Sequence, residues 1–172
     1  MEVKRVHRGD DGCTDIGLRR VPKDFITVEL MGQIDELIAV LGLARGILSK
    51  FGGPEWIARG LEREQRRLQK LIACIAYEGS RGCEVGEADA EEIDRECREL
   101  WQRFSLSFRF VVPQDLLDAA LHLARAVCRR VERVAVRARR LGIVGEAQLK
   151  YLNRLSDLLY VYARIVEETA KH

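Results

Sequence analysis

The chain has 172 residues, of which 47% are hydrophobic, 33% are charged and only three are proline. This length fits a single folded domain, and the composition is typical of helices with one apolar face, which argues against extensive disorder and against two separate domains. The 29 basic and 27 acidic residues leave a formal net charge of +2, so no overall field would draw the protein to nucleic acid or to an anionic membrane.

Cysteine usage and the N-terminal residues indicate the compartment. The five cysteines are odd in number and include no CxxC pair, so we predict reduced thiols rather than disulfides or a metal site. Residues 1–12 are charged and lack the apolar run of a signal peptide, and no stretch is long and apolar enough to span a membrane. We therefore expect a cytoplasmic protein without a membrane segment.

The first half of the chain predicts an arm and three helices. Residues 1–27 contain three glycines and one proline among interleaved charges, which predicts an irregular N-terminal arm. Apolar residues then recur at steps of three and four from about residue 28 to residue 51, and again from Pro54 to about residue 77. A glycine-rich loop follows, and a shorter acidic helix is predicted over residues 88–104.

The second half predicts two longer helices. The longest periodic stretch runs from Pro113 to about residue 141, where Gly142 is a suitable stop, and a fifth helix is expected from residue 145 or 146 to about residue 170. Five helices with short connections predict an all-α helical bundle of mostly antiparallel neighbours. We expect one domain over residues 1–172, with the arm at 1–27 and the bundle at 28–172, and we see no strand alternation.

The fourth predicted helix is strongly basic. Residues 125–140 contain seven arginines and a single acidic residue, Glu132. Arg125, Arg129 and Arg133 are spaced four residues apart, so their side chains project from nearly one helix face and repel one another. Three interpretations are open: a solvated basic face with Glu132 as its counter-charge, a nucleic-acid surface, and a polyphosphate site, which planar guanidinium groups suit well. Residues 111–150 contain no aromatic residue on which bases could stack, which argues against nucleic acid.

Sequence motifs for other binding or catalytic sites are weak or absent. The glycine-containing turn over residues 8–15 offers backbone N–H groups and the Thr14 hydroxyl to an anion, although an ordinary surface turn is the alternative. It is neither a Walker A loop nor a dinucleotide-binding motif. The sequence has no Glu-x-x-His motif for a di-iron site and no recognisable nucleophile and histidine pairing for hydrolysis.

Four segments, taken in order, resemble the PduO-type ATP:cob(I)alamin adenosyltransferases over nearly the whole chain. The arginine-rich helix and the Leu-Asn-Arg-Leu-Ser-Asp string are the specific parts of this resemblance. The segments are residues 9–14 (Gly-Asp-Asp-Gly-Cys-Thr) with 21–24 (Val-Pro-Lys-Asp), 32–37 (Gly-Gln-Ile-Asp-Glu-Leu), 110–113 (Phe-Val-Val-Pro) leading to 124–133 (Ala-Arg-Ala-Val-Cys-Arg-Arg-Val-Glu-Arg), and 151–157 (Tyr-Leu-Asn-Arg-Leu-Ser-Asp).

The resemblance implies a ferritin-like helical bundle that assembles as a homotrimer, with ATP bound between adjacent subunits beneath the arm. It implies transfer of the 5′-deoxyadenosyl group of ATP to cob(I)alamin, with Mg²⁺ carried by ATP rather than by protein side chains, and with a cobalamin reductase and a cobalamin-dependent mutase as partners. The residues implied to bind ATP are Arg8, Gly9, Thr14, Lys23, Arg129, Arg130, Glu132, Arg133 and Asn153.

The resemblance implies three further residues at the reacting centre. Arg125 would pair with Asp35 of a neighbouring subunit. Phe110 would displace the lower axial ligand of cobalamin and leave a four-coordinate Co(II) that is easier to reduce, although a core phenylalanine packed between helices is the alternative. An apolar phenyl ring suits the displacement of the axial ligand because it fills space without supplying a donor atom.

The chain departs from the family pattern at several positions. Val6, Asp15 and Ile38 stand where the family usually has Thr, Ser and Asn, and the stretch after Pro113 is apparently one residue shorter. A carboxylate at Asp15 would repel a triphosphate unless it faces solvent or Mg²⁺. These departures motivate an alternative function, a non-catalytic carrier or sensor of ATP or cobalamin with the same fold.

Overall fold

A computed structural model describes residues 9–77 and 83–169 of the chain. Within these residues a β-hairpin precedes five long helices, which confirms the predicted five-helix bundle. The elements are β1 (Cys13–Ile16), β2 (Arg19–Pro22), α1 (Ile26–Phe51), α2 (Glu55–Ala76), α3 (Glu87–Arg103), α4 (Leu116–Arg139) and α5 (Glu146–Thr169).

The hairpin corrects the prediction of an irregular arm. β1 and β2 pair antiparallel, with Thr14 opposite Val21 and Asp15 opposite Arg20. The turn begins at Gly17, whose φ of 56° favours glycine. A Cβ at this position would also lie 2.9 Å from the carbonyl oxygen of Ala76, so the hairpin rests directly on the end of α2. Four of its eight strand residues are half-buried and four are exposed, without the regular alternation of apolar and polar residues from which a strand is predicted.

Apolar stripes on the helices form one continuous core. α4 packs against α1 and α5, while α2 packs against α1 and α3 against α5. The residues predicted to face inward on α1 are buried, except Ile38, which is half-buried at the edge of the core. They are Leu30, Ile34, Leu37, Leu41 and Leu48.

One charged group lies inside this core. The Glu64 side chain of α2 is fully buried and accepts hydrogen bonds from Arg63 Nε at 2.7 Å, Arg67 Nη1 at 2.9 Å and Tyr151 Oη at 3.1 Å. Burial raises the pKa of the Glu64 carboxyl, and the two arginines oppose that rise. Because Tyr151 belongs to α5, this cluster ties α2 to the turn of α5 that carries Asn153.

The beginning of α4 differs from the prediction. The helix starts at Leu116 rather than at Pro113, because Asp115 is its N-cap and accepts a hydrogen bond from the Asp118 N–H at 2.8 Å. Residues 106–114 are therefore extended rather than helical, and they connect the end of α3 to the cap.

The cysteines also differ from the expectation of five reduced thiols. Cys74 and Cys83 form a disulfide, since their Cα atoms lie 5.2 Å apart where the chain returns to the end of α2. Cys13, Cys97 and Cys128 are free. Burial raises the pKa of the Cys97 thiol to about 12 and raises that of the fully buried Cys128 as well, so neither is a reactive thiolate.

Candidate active site

The arginine row on α4 consists of Arg125, Arg129 and Arg133. Among the described residues, no carboxylate forms an ion pair with Arg125, Arg129 or Arg133. Arg129 and Arg133 are exposed, and Arg133 Nη1 donates only to the carbonyl oxygen of Arg129, at 3.1 Å. The Nε of Arg125 is buried without a hydrogen-bond partner in the part of the chain described. Guanidinium groups without a carboxylate partner among the described residues are suited to bind an added anion such as a phosphate.

Glu132, which one interpretation of the sequence made the counter-charge of the row, forms a hydrogen bond with Asn153. Its Oε1 accepts a hydrogen bond from Asn153 Nδ2 at 3.0 Å, which joins α4 to α5 beside the arginine row. The side-chain amide of Asn153 therefore has a fixed orientation, and the remaining lone pairs of the carboxylate can accept from a hydroxyl or an amine. These two predicted site residues lie together.

Arg130 points away from the row. Its Nε donates to Gln33 Oε1 at 2.6 Å, and its Nη2 forms an ion pair with Glu36, both on α1. The charge of the Arg130 guanidinium is therefore offset by Glu36 of the same chain. Its contact with ATP stays a prediction, and it would require the ion pair between Arg130 and Glu36 to break.

A second group of predicted residues lies at the hairpin. Lys23 N–H donates to the carbonyl oxygen of Gly12 at 2.8 Å, and a Cβ on Gly9 would lie 3.0 Å from Lys23 Nζ. Gly9 and Thr14 line the same opening. Asp15 and Arg20 line this opening as well, and the Lys23 ammonium lies beside it, next to Gly9. Backbone N–H groups, a hydroxyl and nearby cations are groups that can bind a phosphate. Arg8 and Val6 lie outside the described residues.

An ion-pair cluster on the hairpin went unpredicted from the sequence. Arg20 Nη2 contacts both carboxylate oxygens of Asp11, at 2.7 and 2.8 Å, and Arg20 Nη1 lies 3.3 Å from Asp15 Oδ1. The hydrogen bonds from Arg20 lower the pKa of the Asp11 carboxyl. Asp15 lies opposite Arg20 in the hairpin, so one guanidinium is shared by the carboxylates of Asp11 and Asp15 and reduces, without cancelling, the negative charge that this departure introduces. The available signal was the group of acidic residues at positions 10, 11 and 15 followed by Arg19 and Arg20.

The remaining two predicted residues are exposed. Phe110 lies in the extended segment before α4 and is 97% exposed, which excludes a core phenylalanine between helices. Asp35 is exposed on α1 and has no ion pair with Arg125 within the described part of the subunit. In that part, no hydrogen bond or ion pair joins Gly9, Thr14 or Lys23 to the α4 arginines. The structure thus gives two separate groups of site residues.

The sequence profile of one family matches almost the whole chain. It is described as cobalamin adenosyltransferase, and the match covers residues 5–166. The chain belongs to the cobalamin adenosyltransferase family. It is 33% identical to a corrinoid adenosyltransferase of Citrobacter freundii over 94% of the chain and 93% of that protein. It is 49% identical to a corrinoid adenosyltransferase of Mycobacterium leprae over 91% of the chain and 87% of that protein.

Solved structures of the family share the fold. A variant PduO-type ATP:corrinoid adenosyltransferase from Lactobacillus reuteri, complexed with cobalamin and ATP, superposes with a TM-score of 0.81 over 98% of this chain and 95% of that one, at 24% identity. A second variant of the same enzyme, also complexed with cobalamin and ATP, gives a TM-score of 0.83. The helical bundle is therefore the family fold.

Two absences hold for the residues that the structure describes. No helix there carries an apolar run long enough to cross a membrane. No cluster of three or more His, Cys, Asp or Glu side chains in the same residues could hold a metal ion.

Proposed function

We propose that this protein transfers the 5′-deoxyadenosyl group of ATP to cob(I)alamin, forming adenosylcobalamin and releasing triphosphate. ATP, with its Mg²⁺, and cobalamin are the substrates, and no metal is held by protein side chains. The membership of the family supports the reaction class. The observation that carries the proposal is the row formed by Arg125, Arg129 and Arg133, which has no carboxylate partner in the described part of the chain.

The chemistry of the leaving group explains why such a row is needed. When Co(I) attacks the ribose C5′, the C5′–O bond breaks and the departing triphosphate takes the electron pair. Fixed guanidinium groups stabilise that charge as it develops, and they do so best where water is excluded and no counter-ion competes. Arg129 and Arg133 fit the phosphate chain. Glu132 and Asn153, held together by their hydrogen bond, suit the nucleoside hydroxyl and amine groups.

The hairpin supplies the second half of the ATP site in this proposal. Gly9 and Thr14 line one opening, and the Lys23 ammonium lies next to Gly9, so that an ammonium, backbone N–H groups and a hydroxyl would hold phosphate oxygens there. Residues 1–27 thus act as a nucleotide-binding arm of a single domain. Arg8 and Arg130 belong to the same ATP set by family resemblance.

Assembly as a homotrimer would bring the two halves together. Arg125 is half-buried and forms no ion pair within the described residues, and Asp35 is exposed on α1, so the two side chains do not pair within one described subunit and suit an ion pair between subunits. We propose that Arg125 pairs there with Asp35 and that the ATP site lies at that interface. Phe110, exposed on its extended segment, would occupy the lower axial face of cobalamin.

We further propose a cytoplasmic location, a cobalamin reductase as electron donor and a mutase as recipient of the product. ATP and a low reduction potential, both required for Co(I) chemistry, occur together in the cytoplasm. In that compartment the Cys74–Cys83 disulfide would be exposed to reduction.

Anaerobic mixing of the protein with ATP, Mg²⁺ and chemically reduced cobalamin tests the proposal. We expect the adenosylcobalamin spectrum to grow and triphosphate to accumulate in equal amount. A protein that binds ATP in a calorimetric titration but forms no adenosylcobalamin would be the carrier or sensor instead. That alternative rested on Val6, Asp15 and Ile38, and the pairing of Asp15 with Arg20 weakens it.

A further inference from the structure

The extended segment that carries Phe110 is held to the bundle at three backbone positions. Ser107 O accepts a hydrogen bond from Arg164 Nη1 at 2.9 Å, and Gln114 N–H donates to Asp118 Oδ2 at 3.1 Å. Between them, the hydroxyl of Tyr160 contacts Arg109 twice. It accepts from the Arg109 N–H at 3.2 Å and donates to the Arg109 carbonyl oxygen at 2.9 Å.

The central contact fixes more backbone than the other two. The N–H of Arg109 belongs to the peptide unit before this residue, and its carbonyl belongs to the peptide unit that includes the nitrogen of Phe110. One hydroxyl therefore restrains both peptide planes that flank Arg109, and with them the direction in which the Phe110 side chain leaves the backbone.

The ring of Tyr160 is itself fixed by aromatic neighbours. Its centroid lies 6.3 Å from that of Trp101, 6.4 Å from that of His122 and 5.7 Å from that of Phe108. Phe108 in turn meets Phe110 edge to face, with ring centroids 5.8 Å apart. Such contacts favour one arrangement of the rings, so a rigid chain of contacts runs from α5 to Phe110.

Phe110 needs this support because its ring is 97% exposed and its aromatic contact is with Phe108 of the same segment. Little packing energy therefore selects one conformation of the segment, and an unrestrained segment would populate many. A phenyl ring that must stand at a defined place beside a ligand has to be positioned through its backbone.

We infer that Tyr160 is a positioning residue of the adenosyltransferase, whose hydroxyl, through Arg109, sets the place and direction of Phe110. The inference rests on the proposed function, in which Phe110 excludes the lower axial ligand and leaves four-coordinate Co(II) ready to accept one electron. Loss of the hydroxyl would loosen Phe110 and restore axial ligation, without touching the ATP site.

Tyr160→Phe removes the hydroxyl and keeps the ring. Since one hydrogen bond contributes roughly 1 kcal/mol, we expect about a three- to tenfold fall in the ratio of four-coordinate to five-coordinate Co(II), read from the absorption and electron paramagnetic resonance spectra of cob(II)alamin bound with ATP. Turnover from cob(II)alamin with a chemical reductant should fall in parallel. Turnover from cobalamin already reduced to Co(I), and the KM for ATP, should stay at wild-type values.

Tyr162→Phe is the matched control, because it removes a hydroxyl from the same helix that bonds Glu96 at 2.5 Å rather than the Phe110 segment. This variant should show the wild-type Co(II) spectrum. Hydrogen exchange of the Arg109 amide gives a readout independent of activity, and it should accelerate in Tyr160→Phe and not in Tyr162→Phe.

The outcomes separate the two proposals. A wild-type protein that forms no adenosylcobalamin overturns the proposed function. An active wild-type protein whose Co(II) spectrum or Arg109 exchange rate is unchanged by Tyr160→Phe overturns the positioning role alone.

Discussion

At the scale of single residues, the arginines of α4 differ in what surrounds them. Arg137 and Arg139 form ion pairs with Glu29 and Glu146, whereas Arg129 has none among the residues described. A guanidinium that neutralises a departing triphosphate contributes to the transition state more than to substrate binding. The same helix therefore offers both a test residue and a control.

We expect Arg129→Ala to lower kcat/KM for adenosyl transfer at least about tenfold, which corresponds to about 1.4 kcal/mol of transition-state stabilisation. Arg139→Ala removes an equal charge from the same helix but breaks only an exposed ion pair, so its kinetics should match wild type. Steady-state assays of both variants against wild type measure the effect. Equal activities of the three proteins would remove Arg129 from the site.

His122 provides a second test at this scale. It lies on α4, with its ring against Tyr160 of α5. Burial lowers its pKa, Arg125 and Arg164 add to that shift, and Asp118 and Glu167 oppose it. Its Nε2 lies 3.3 Å from Asp118 Oδ1, yet neither atom has a hydrogen bond among the described residues. The folded state therefore favours the neutral imidazole.

The sign of the pH dependence follows from that shift. The pKa of a histidine in the unfolded chain is near 6.5. Just below this pH the unfolded chain is therefore protonated at His122 to a greater extent than the folded protein, whose His122 pKa is lower. The contribution of His122 to stability is present above pH 6.5 and is lost as the pH falls through the lowered folded pKa. We expect urea denaturation to show a smaller loss of stability between pH 7.5 and 5.5 in His122→Gln than in wild type. Parallel losses in both proteins would contradict the assignment.

At the scale of elements, the hairpin opening that we propose to bind phosphate lies beside two carboxylates that would repel it. The single guanidinium of Arg20 offsets part of this charge, since it bonds both oxygens of Asp11 and lies beside Asp15. The register of the two strands places Arg20 opposite Asp15.

Arg20→Ala should raise the KM for ATP about two- to fivefold, as expected for the loss of about 0.5–1 kcal/mol of exposed charge compensation. kcat should change little, because the hairpin binds phosphate in substrate and transition state alike. Adding Asp11→Asn to Arg20→Ala should recover part of the ATP affinity, which a double-mutant cycle measures. An additive effect of the two changes would show that the carboxylate of Asp11 does not reach the nucleotide.

The helices and the hairpin differ in how well their limits could be predicted from the sequence. Helix limits were predictable within a few residues because Leu30, Ile34, Leu37 and Leu41 mark one face of α1, and similar stripes mark the other helices. The hairpin was not predictable, because residues such as Arg19 and Arg20 are exposed on both sides of their strand. The start of α4 was misplaced because a proline was preferred over the N-cap at Asp115 as the signal for a helix start.

The site residues also divide into those that a local sequence pattern predicts and those that only the folded structure brings together. Arg125, Arg129 and Arg133 were visible as a local spacing, and the structure bears out their common face. The contact between Tyr160 and Arg109 joins residues 51 positions apart, so only the packing of α5 against the extended segment brings it to light. The family resemblance implied roles for Asn153 and Glu132, but only the structure shows the hydrogen bond between them.

At the scale of the whole molecule, the hairpin residues and the arginine row form two groups that a shared ligand would have to bridge. Gly9, Thr14 and Lys23 gather at the hairpin, and the arginine row lies on α4, with no hydrogen bond or ion pair between these groups in the described part of the chain. A closed trimer in which each hairpin meets the α4 of its neighbour would give three complete sites.

This arrangement predicts complementation between two inactive variants. Lys23→Ala combined with Thr14→Ala disables the hairpin half, and Arg129→Ala combined with Arg133→Ala disables the helix half. When the two chains are coexpressed in equal amounts, a site is intact only if its hairpin comes from the second variant and its helix from the first. About one quarter of the sites should then be wild type, because each of these two choices has a probability of about one half in a randomly mixed ring.

Activity measured on the purified mixed assembly, with sedimentation used to confirm its size, decides the point. Each variant expressed alone is the control and should remain near the uncatalysed rate. Sites built within one chain would leave every chain of the mixture defective, so a mixture no more active than its parents would show that hairpin and helix act in the same subunit. Recovery toward one quarter of wild-type activity requires that ATP is shared between neighbours, since no other arrangement joins an intact hairpin to an intact row of arginines.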